Sequence, residues 1–347
     1  MSRNLPSQDL QHILDHTREL WEEMRGKRIF VTGGTGFFGC WLLESFAYAN
    51  DQLGLGASLV SLTRDAEAFG RKVPHLAGHP AIILHGGDVR DFTFPSGEFS
   101  HVLHAATTSS AQVEPMETLD TITTGTRRVL DFAVACRAKK FLLTSSGAVY
   151  GRQPPEISHI PETYPGAPDP SDSNASYGEG KRVAELLCSI YHSDHGIETK
   201  IARCFAFVGP HLPLDSHFAI GNFIRDALAG GPIRVNGDGT PMRSYLYAAD
   251  LAIWLWTILF RGVACRPYNT GSDEARSIAE IARAVGNACN PKLDIVVSQP
   301  AIPGAVPSRY VCDCNRAREL SLRVSFSLEQ QILRTIAWHK AESLDIG

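Results

Sequence analysis

No C-x-x-C pair occurs among the eight cysteines of this 347-residue chain, and Cys312 and Cys314 are the only two that stand close together. That scatter argues against a disulfide frame and against a zinc site, so reduced thiols and no bound metal are expected. Long apolar runs are also missing. The longest, Leu251 to Phe260, is roughly half of what a bilayer-spanning helix needs and reads as a buried helix. The first residues, Met1 to Met24, carry acids and histidines where a signal peptide would carry an apolar stretch, so a cytoplasmic address is expected. Net charge is only −4, and basic residues cluster no further than pairs such as Arg127-Arg128 and Lys139-Lys140. Neither nucleic acid nor a membrane is therefore an expected partner. What remains is an ordinary globular composition, 44% hydrophobic and 20% charged, in a chain long enough for one large or two small domains.

From Pro6 to Met24 the residues Leu10, Ile13, Leu14, Leu20 and Trp21 recur at helical spacing among charges, which predicts an amphipathic helix docked on the body. Short β-rich runs follow at Arg28–Thr32, Ser58–Thr63, Ala81–Leu84, His101–His104, Lys140–Thr144 and Glu198–Arg203. Between them lie helical stretches at Cys40–Ala49, Met116–Arg137 and Ser176–His195. Such alternation predicts a Rossmann-type, doubly wound parallel α/β sheet. The Pro-, Ser- and Asp-rich stretch Arg152–Asn174 reads as a long functional loop. Beyond the sheet, helices are expected near Gly221–Leu228, Asp250–Phe260, Ser277–Asn287 and Leu328–Trp338.

Two constellations carry chemistry. Gly33, Gly36 and Gly39 stand at G-x-x-G-x-x-G spacing between the first strand and the helix after it. Glycines there let the backbone turn tightly and approach a pyrophosphate, which the helix N-terminus stabilises, so a dinucleotide site is expected. The second strand ends Leu62-Thr63-Arg64-Asp65. An acid at that tip suits the ribose of NAD and an arginine the extra phosphate of NADP, so Arg64 tips the expectation towards NADP. Asp88, after the third strand, stands either as an acceptor for the adenine amino group or as a turn-forming residue. In the second constellation Tyr177 and Lys181 lie at i and i+4 on one helical face. A lysine beside a phenol favours phenolate, so Tyr177 is a candidate to exchange a proton with a hydroxyl or carbonyl. Ser146 follows Thr144-Ser145 at a strand tip, where ligands of open α/β sheets sit, and is placed to bond the same oxygen.

Together with His104-Ala105-Ala106, Ser145-Ser146-Gly147-Ala148-Val149-Tyr150-Gly151, Gly209-Pro210 and the stretch Gly237-Asp238-Gly239 to Arg243-Ser244-Tyr245-Leu246-Tyr247, these motifs resemble the extended short-chain dehydrogenase/reductase superfamily. The likeness is to its nucleotide-sugar epimerase/dehydratase branch and spans about residues 28 to 340. It implies a catalytic trio of Ser146, Tyr177 and Lys181. It implies an NAD(P) cradle from Gly33, Gly36, Phe37, Phe38, Gly39, Arg64, Asp88, Val89 and Ala105 with Tyr177 and Lys181. Thr107, Ser146, Asn222, Arg243 and Arg309 would hold a nucleotide-diphosphate sugar, the arginines suiting its diphosphate, with a surface ion pair as the alternative for each. His104 is expected to be a satisfied structural histidine. The same resemblance divides the chain into a helical extension (1–26), a cofactor domain (27–205, with a segment returning near 244–270) and a smaller C-terminal α/β substrate domain (206–243 and 271–347). It also implies a homodimer built on the two helices 116–137 and 176–195.

Departures narrow the reaction. Dehydratases of the branch carry Asp-Glu directly after the catalytic Ser/Thr, and UDP-glucuronate decarboxylases carry Glu at the second position; this chain has Gly147 and Ala148. Against that, Gly178 to Glu185 and Pro307-Ser308-Arg309 resemble the decarboxylases. Ala206 replaces a usual substrate-binding asparagine. With no carboxylate beside Ser146, the expected activity is hydride transfer at C4 of an NDP-hexose, a 4-epimerase. The alternative is an NADPH-dependent NDP-4-ketohexose reductase, which Arg64 favours. A dehydratase or decarboxylase using Glu179, and a non-catalytic cofactor sensor, rank below both.

Overall fold

The structure, a computed structural model, describes residues 4–107, 113–216 and 218–344. Its first half runs α1 (Ser7–Thr17), a 3₁₀ stretch Arg18–Met24, β1 (Arg28–Thr32), α2 (Phe37–Leu53), β2 (Ser58–Thr63), α3 (Ala66–Lys72), α4 (Pro74–Ala77), β3 (Ile82–Gly86), β4 (His101–His104), α5 (Pro115–Ala135) and β5 (Lys140–Ser146). The second runs α6 (Ser176–His195), β6 (Glu198–Cys204), β7 (Phe207–Val208), α7 (Ala219–Leu228), β8 (Ile233–Val235), β9 (Met242–Arg243), β10 (Leu246–Tyr247), α8 (Ala248–Arg261), β11 (Pro267–Thr270), β12 (Arg276–Ser277), α9 (Ile278–Asn287), β13 (Ile295–Val297), β14 (Arg309–Tyr310), α10 (Asn315–Glu319) and α11 (Leu328–Leu344).

Seven strands form one parallel sheet in the order β11-β6-β5-β4-β1-β2-β3. The chain turns from one wing of that sheet to the other between β1 and β4, as a doubly wound Rossmann fold requires. A parallel sheet must be covered on both faces, so its strands are apolar on both sides. Ile29 and Val31 of β1 point into one core with Trp41 of α2 and Trp254 of α8, while Phe30 between them points into the other, with Phe132 of α5 and Ala184 of α6. A third core gathers α7, β8, α9 and α11 around Ile224, Ile233, Ile281 and Ile332.

The N-terminal segment follows the expected amphipathic pattern but tightens into a 3₁₀ turn after Thr17. Leu10, Ile13, Leu14, Trp21 and Met24 are buried against the first core. Leu251–Phe260 lies, as its composition predicts, wholly inside, within α8. All eight cysteines are free thiols. Among the described residues no helix is long and apolar enough to cross a membrane, and no three His, Cys, Asp or Glu gather as a metal site would require.

Candidate active site

The loop between β1 and α2 is held by contacts that only glycine allows. Gly33 has φ +74°, and a Cβ on it would stand 2.6 Å from the Ala105 backbone; a Cβ on Gly39 would stand 2.3 Å from Gly34. Gly36 is the exception, since the nearest atom to its Cβ position is the Gly33 oxygen at 3.5 Å. Its open side lies at the start of α2, which no side chain caps. Uncapped N–H groups at Phe37, Phe38 and Gly39 and a bare Cα in front of them fit a diphosphate. The phenyl rings themselves turn inward, Phe38 against Phe207 at 5.0 Å. Ala105 closes the other side of the cradle, its N–H bonding the Thr32 carbonyl at 3.1 Å.

At the tips of β2 and β3 the charged residues divide their work. Asp65 caps α3, accepting from the Ala68 N–H at 2.8 Å, and Arg64 is left exposed. Asp88 forms the turn anticipated as one of its two readings, accepting from the Arg90 N–H at 3.0 Å and from its guanidinium at 2.8 Å. Arg90 first, and Arg64 more weakly, hold its carboxyl below the usual aspartate range. Val89 is buried against Gly125.

Ser146, Tyr177 and Lys181 meet at the tip of β5. Asp172 caps a short 3₁₀ turn, Ser173–Ala175, which runs straight into α6 and sets Tyr177 in its first turn. The Ser146 hydroxyl lies close enough to the Tyr177 phenol to favour its ionised form. Lys181, one turn on and buried, donates to the Thr144 carbonyl at 2.8 Å, with its ammonium 5.8 Å from the Tyr177 ring centre. Burial pulls the lysine down to about 8 and pushes the Tyr177 phenol up to about 12, the serine contact partly opposing that rise. The expected help of Lys181 towards phenolate is outweighed here: its ammonium is engaged by a backbone carbonyl, and desolvation is the larger effect. His104 lies beneath the trio, bonded to Thr32 Oγ1 at 2.7 Å and Thr126 Oγ1 at 3.0 Å. Burial pushes it down to about 3, so it is neutral and structural.

Carboxylates near the trio are committed elsewhere. Glu185 pairs with Arg203 at 2.7 Å and takes the Ser145 hydroxyl, and Glu179 lies 3.6 Å from Arg182. The space beside Ser146 is filled by two aromatic residues that the sequence motifs do not single out. A Cβ on Gly147 would meet the Tyr310 hydroxyl at 2.7 Å and the Phe205 ring at 2.8 Å.

Arg243 and Arg309 come together on adjacent strands of a small sheet, β12-β9-β14, in which Tyr310 pairs with Arg243 and Arg309 with Met242. Arg309 Nε and Thr107 Oγ1 are buried without a hydrogen-bond partner. An anion or sugar hydroxyl in the crevice would satisfy such groups. Asn222, on α7, is instead engaged within its own helix, its Oδ1 accepting from Arg225 at 3.0 Å.

Comparison with known proteins agrees with this geometry. Residues 29–271 match the model of the NAD dependent epimerase/dehydratase family. UDP-glucuronic acid decarboxylase 1 of Xenopus tropicalis is 33% identical over 75% of this chain, which spans 59% of that relative's length. UDP-glucuronic acid decarboxylase 5 of Arabidopsis thaliana is 33% identical over 77% of this chain and 76% of its own. Among solved structures, UDP-N-acetylglucosamine 4-epimerase from Methanobrevibacter ruminantium M1 superposes with a TM-score of 0.77 at 19% identity, covering 91% of this chain and 99% of that one. UDP-glucose 4-epimerase from Thermotoga maritima gives 0.75 at 20% identity with coverage of 91% and 99%. The glycine cradle on a doubly wound sheet, the serine, tyrosine and lysine at the tip of β5, and a family match across most of the chain place this protein in the NAD dependent epimerase/dehydratase family.

Proposed function

We propose that this enzyme oxidises the C4 hydroxyl of a nucleotide-diphosphate hexose to a ketone and reduces it from the opposite face, releasing the 4-epimer. Bound NAD(P) supplies the hydride acceptor and, in the second half, the donor. Tyr177 takes the C4 hydroxyl proton and later returns it to the ketone oxygen, while Ser146 orients that oxygen. Lys181 keeps a positive charge below the phenolate and reaches towards the cofactor ribose. Arg243 and Arg309 hold the diphosphate, with Thr107 and Asn222 towards the substrate, and the split into a cofactor half and a substrate half belongs to the same proposal.

The observation that carries this reading is the filled, carboxylate-free space beside Ser146. Eliminating water or protonating a C5 carbanion needs an acid–base group there, whereas reversing a hydride at C4 needs only the trio. Identity to UDP-glucuronic acid decarboxylases favours a second reading, decarboxylation. The test is to incubate the protein with UDP-glucose, UDP-N-acetylglucosamine and UDP-glucuronate in turn and follow each by NMR. The expected product is a 4-epimer, whereas a UDP-pentose from UDP-glucuronate would establish the decarboxylase. Mass spectrometry of the dinucleotide released on denaturation belongs to the same experiment. Stoichiometric NADP is expected, because Asp65 is spent as a helix cap and Arg64 stands free at the β2 tip. NADPH that binds only reversibly, with no epimer formed, would mark the ketoreductase.

We also propose a homodimer. Val183, Leu186 and Ile190 are exposed along one face of α6, an apolar stripe at i, i+3 and i+7 that a second copy of α6 would cover. Leu186→Glu is expected to convert a light-scattering mass of two chains to one; a wild-type mass of one chain removes the proposal.

A further inference from the structure

Each strand of the small sheet β12-β9-β14 carries an arginine: Arg276, Arg243 and Arg309. Strands β12 and β9 are antiparallel, with Arg276 directly opposite Arg243. Residues paired in this way point to the same face with Cβ atoms about 4.5–5.5 Å apart, and like charges so placed destabilise a sheet. Tyr310, which pairs with Arg243 from the other side, shares that face. Its hydroxyl stands 2.7 Å from the Gly147 Cβ position, beside Ser146, so the face looks into the crevice of the trio. Arg309 is one position out of that register, opposite Met242. The arginine beside Arg243 on the crevice face is therefore Arg276.

The donors of these two arginines are only partly used. Arg243 gives one to the Met242 carbonyl at 2.8 Å. Arg276 gives one from Nη2 to Glu274, two residues back, and Glu274 is steadied by its own N–H on Ser272 Oγ at 3.1 Å. A guanidinium has five N–H donors. The Nε of Arg276 is buried without a partner, yet 42% of its side chain is exposed, so the group has donors to give and room to turn. Its backbone stays fixed, because Ser277 closes a capping box with Glu280 at the start of α9. The ion pair with Glu274 does not require an arginine opposite Arg243; an anion shared by both guanidinium groups does.

We propose that Arg276 is a third arginine of the diphosphate site, binding the phosphates of a nucleotide sugar beside Arg243. The inference rests on the nucleotide-sugar reading above. It is tested without turnover by titration calorimetry of the dinucleotide-loaded protein with UDP, and with dTDP and GDP alongside. Arg276→Gln is expected to weaken the diphosphate that wild type takes by about tenfold, the worth of one charge-assisted hydrogen bond. Binding of the parent nucleoside should not change. Arg276→Lys, which keeps the charge but not the fork, should recover part of the loss. The melting temperature without nucleotide is expected to hold or rise in Arg276→Gln, because a like charge has gone from beside Arg243. Melting temperature, dinucleotide content and affinity falling together would mark a structural arginine and overturn the proposal. So would an unchanged diphosphate affinity, or an equal loss for the nucleoside. A wild-type protein that takes none of the three diphosphates removes the nucleotide-sugar reading and this inference with it, whereas a wild-type complex that Arg276→Gln leaves intact removes Arg276 alone.

Discussion

Tyr177→Phe is expected to lower kcat by about 10²–10⁴, the range that a positioned acid–base group supplies, while the dinucleotide stays bound and the KM for the nucleotide sugar barely moves. The change is confined to chemistry because the ring remains. Tyr177 packs against the core shared by α5 and α6, and phenylalanine keeps that contact. Only the hydroxyl beside Ser146 is lost. Burial, which pushes the phenol up to about 12 in the chain alone, makes the residue a poor base until charge is brought close to it. The Ser146 hydroxyl favours the ionised oxygen, which is of no help to a side chain that has none. The measurement is a progress curve by NMR, with thermal melts to verify the fold and mass spectrometry to count bound dinucleotide. Turnover within a few-fold of wild type would remove Tyr177 from the mechanism; lost dinucleotide would make its role one of binding.

Much of this arrangement is legible in the amino-acid sequence, for reasons that particular residues make plain. Runs of apolar residues between turn signals identify β1, β2, β4 and β5, because a strand buried on both faces has no polar side to interrupt the run. Helix α6 is legible to its ends, since Asp172 caps the short 3₁₀ turn that leads into it and Gly196 closes it in a left-handed conformation. Helix α2 begins three residues before the expected Cys40, because the glycine that discourages a helix by propensity is tolerated at a turn serving an anion site. The edge strand β11 escapes notice: it starts at Pro267 and pairs on one side only, with β6. Two-residue strands such as β9 and β14 have no periodicity at all, so nothing local announces that Arg243, Arg309 and Tyr310 are neighbours. The trio is readable as a spacing and a strand tip; Tyr310 and Phe205, which decide what fits beside Ser146, are a product of tertiary pairing.

Trp21→Ala is the substitution expected to cost most in stability, about 3–5 kcal/mol, although it lies outside every motif. Trp21 is fully buried. Its indole N–H donates to Thr17 Oγ1 at 2.9 Å, and its ring meets Trp256 at 4.8 Å and Phe260 at 6.0 Å. Trp256 in turn donates to Ser45 of α2 at 2.9 Å, so the 3₁₀ turn rests on the helix whose N-terminus faces the proposed diphosphate. Nearby Asp9 of α1 accepts from the Tyr247 hydroxyl at 2.7 Å and from Arg334 of α11. One N-terminal segment thereby ties α2, α8 and α11 together. Truncating Trp21 leaves a cavity that rigid neighbours on three sides cannot close, and Thr17 loses a donor while still giving its own proton to the Ile13 carbonyl. Urea unfolding should show the midpoint displaced well below wild type, with kcat in the folded protein at low temperature nearly unchanged. If the midpoint stays put, the segment is a separate appendage whose contacts add nothing; if kcat falls in the folded protein, the segment supports the geometry of α2 as well as its stability.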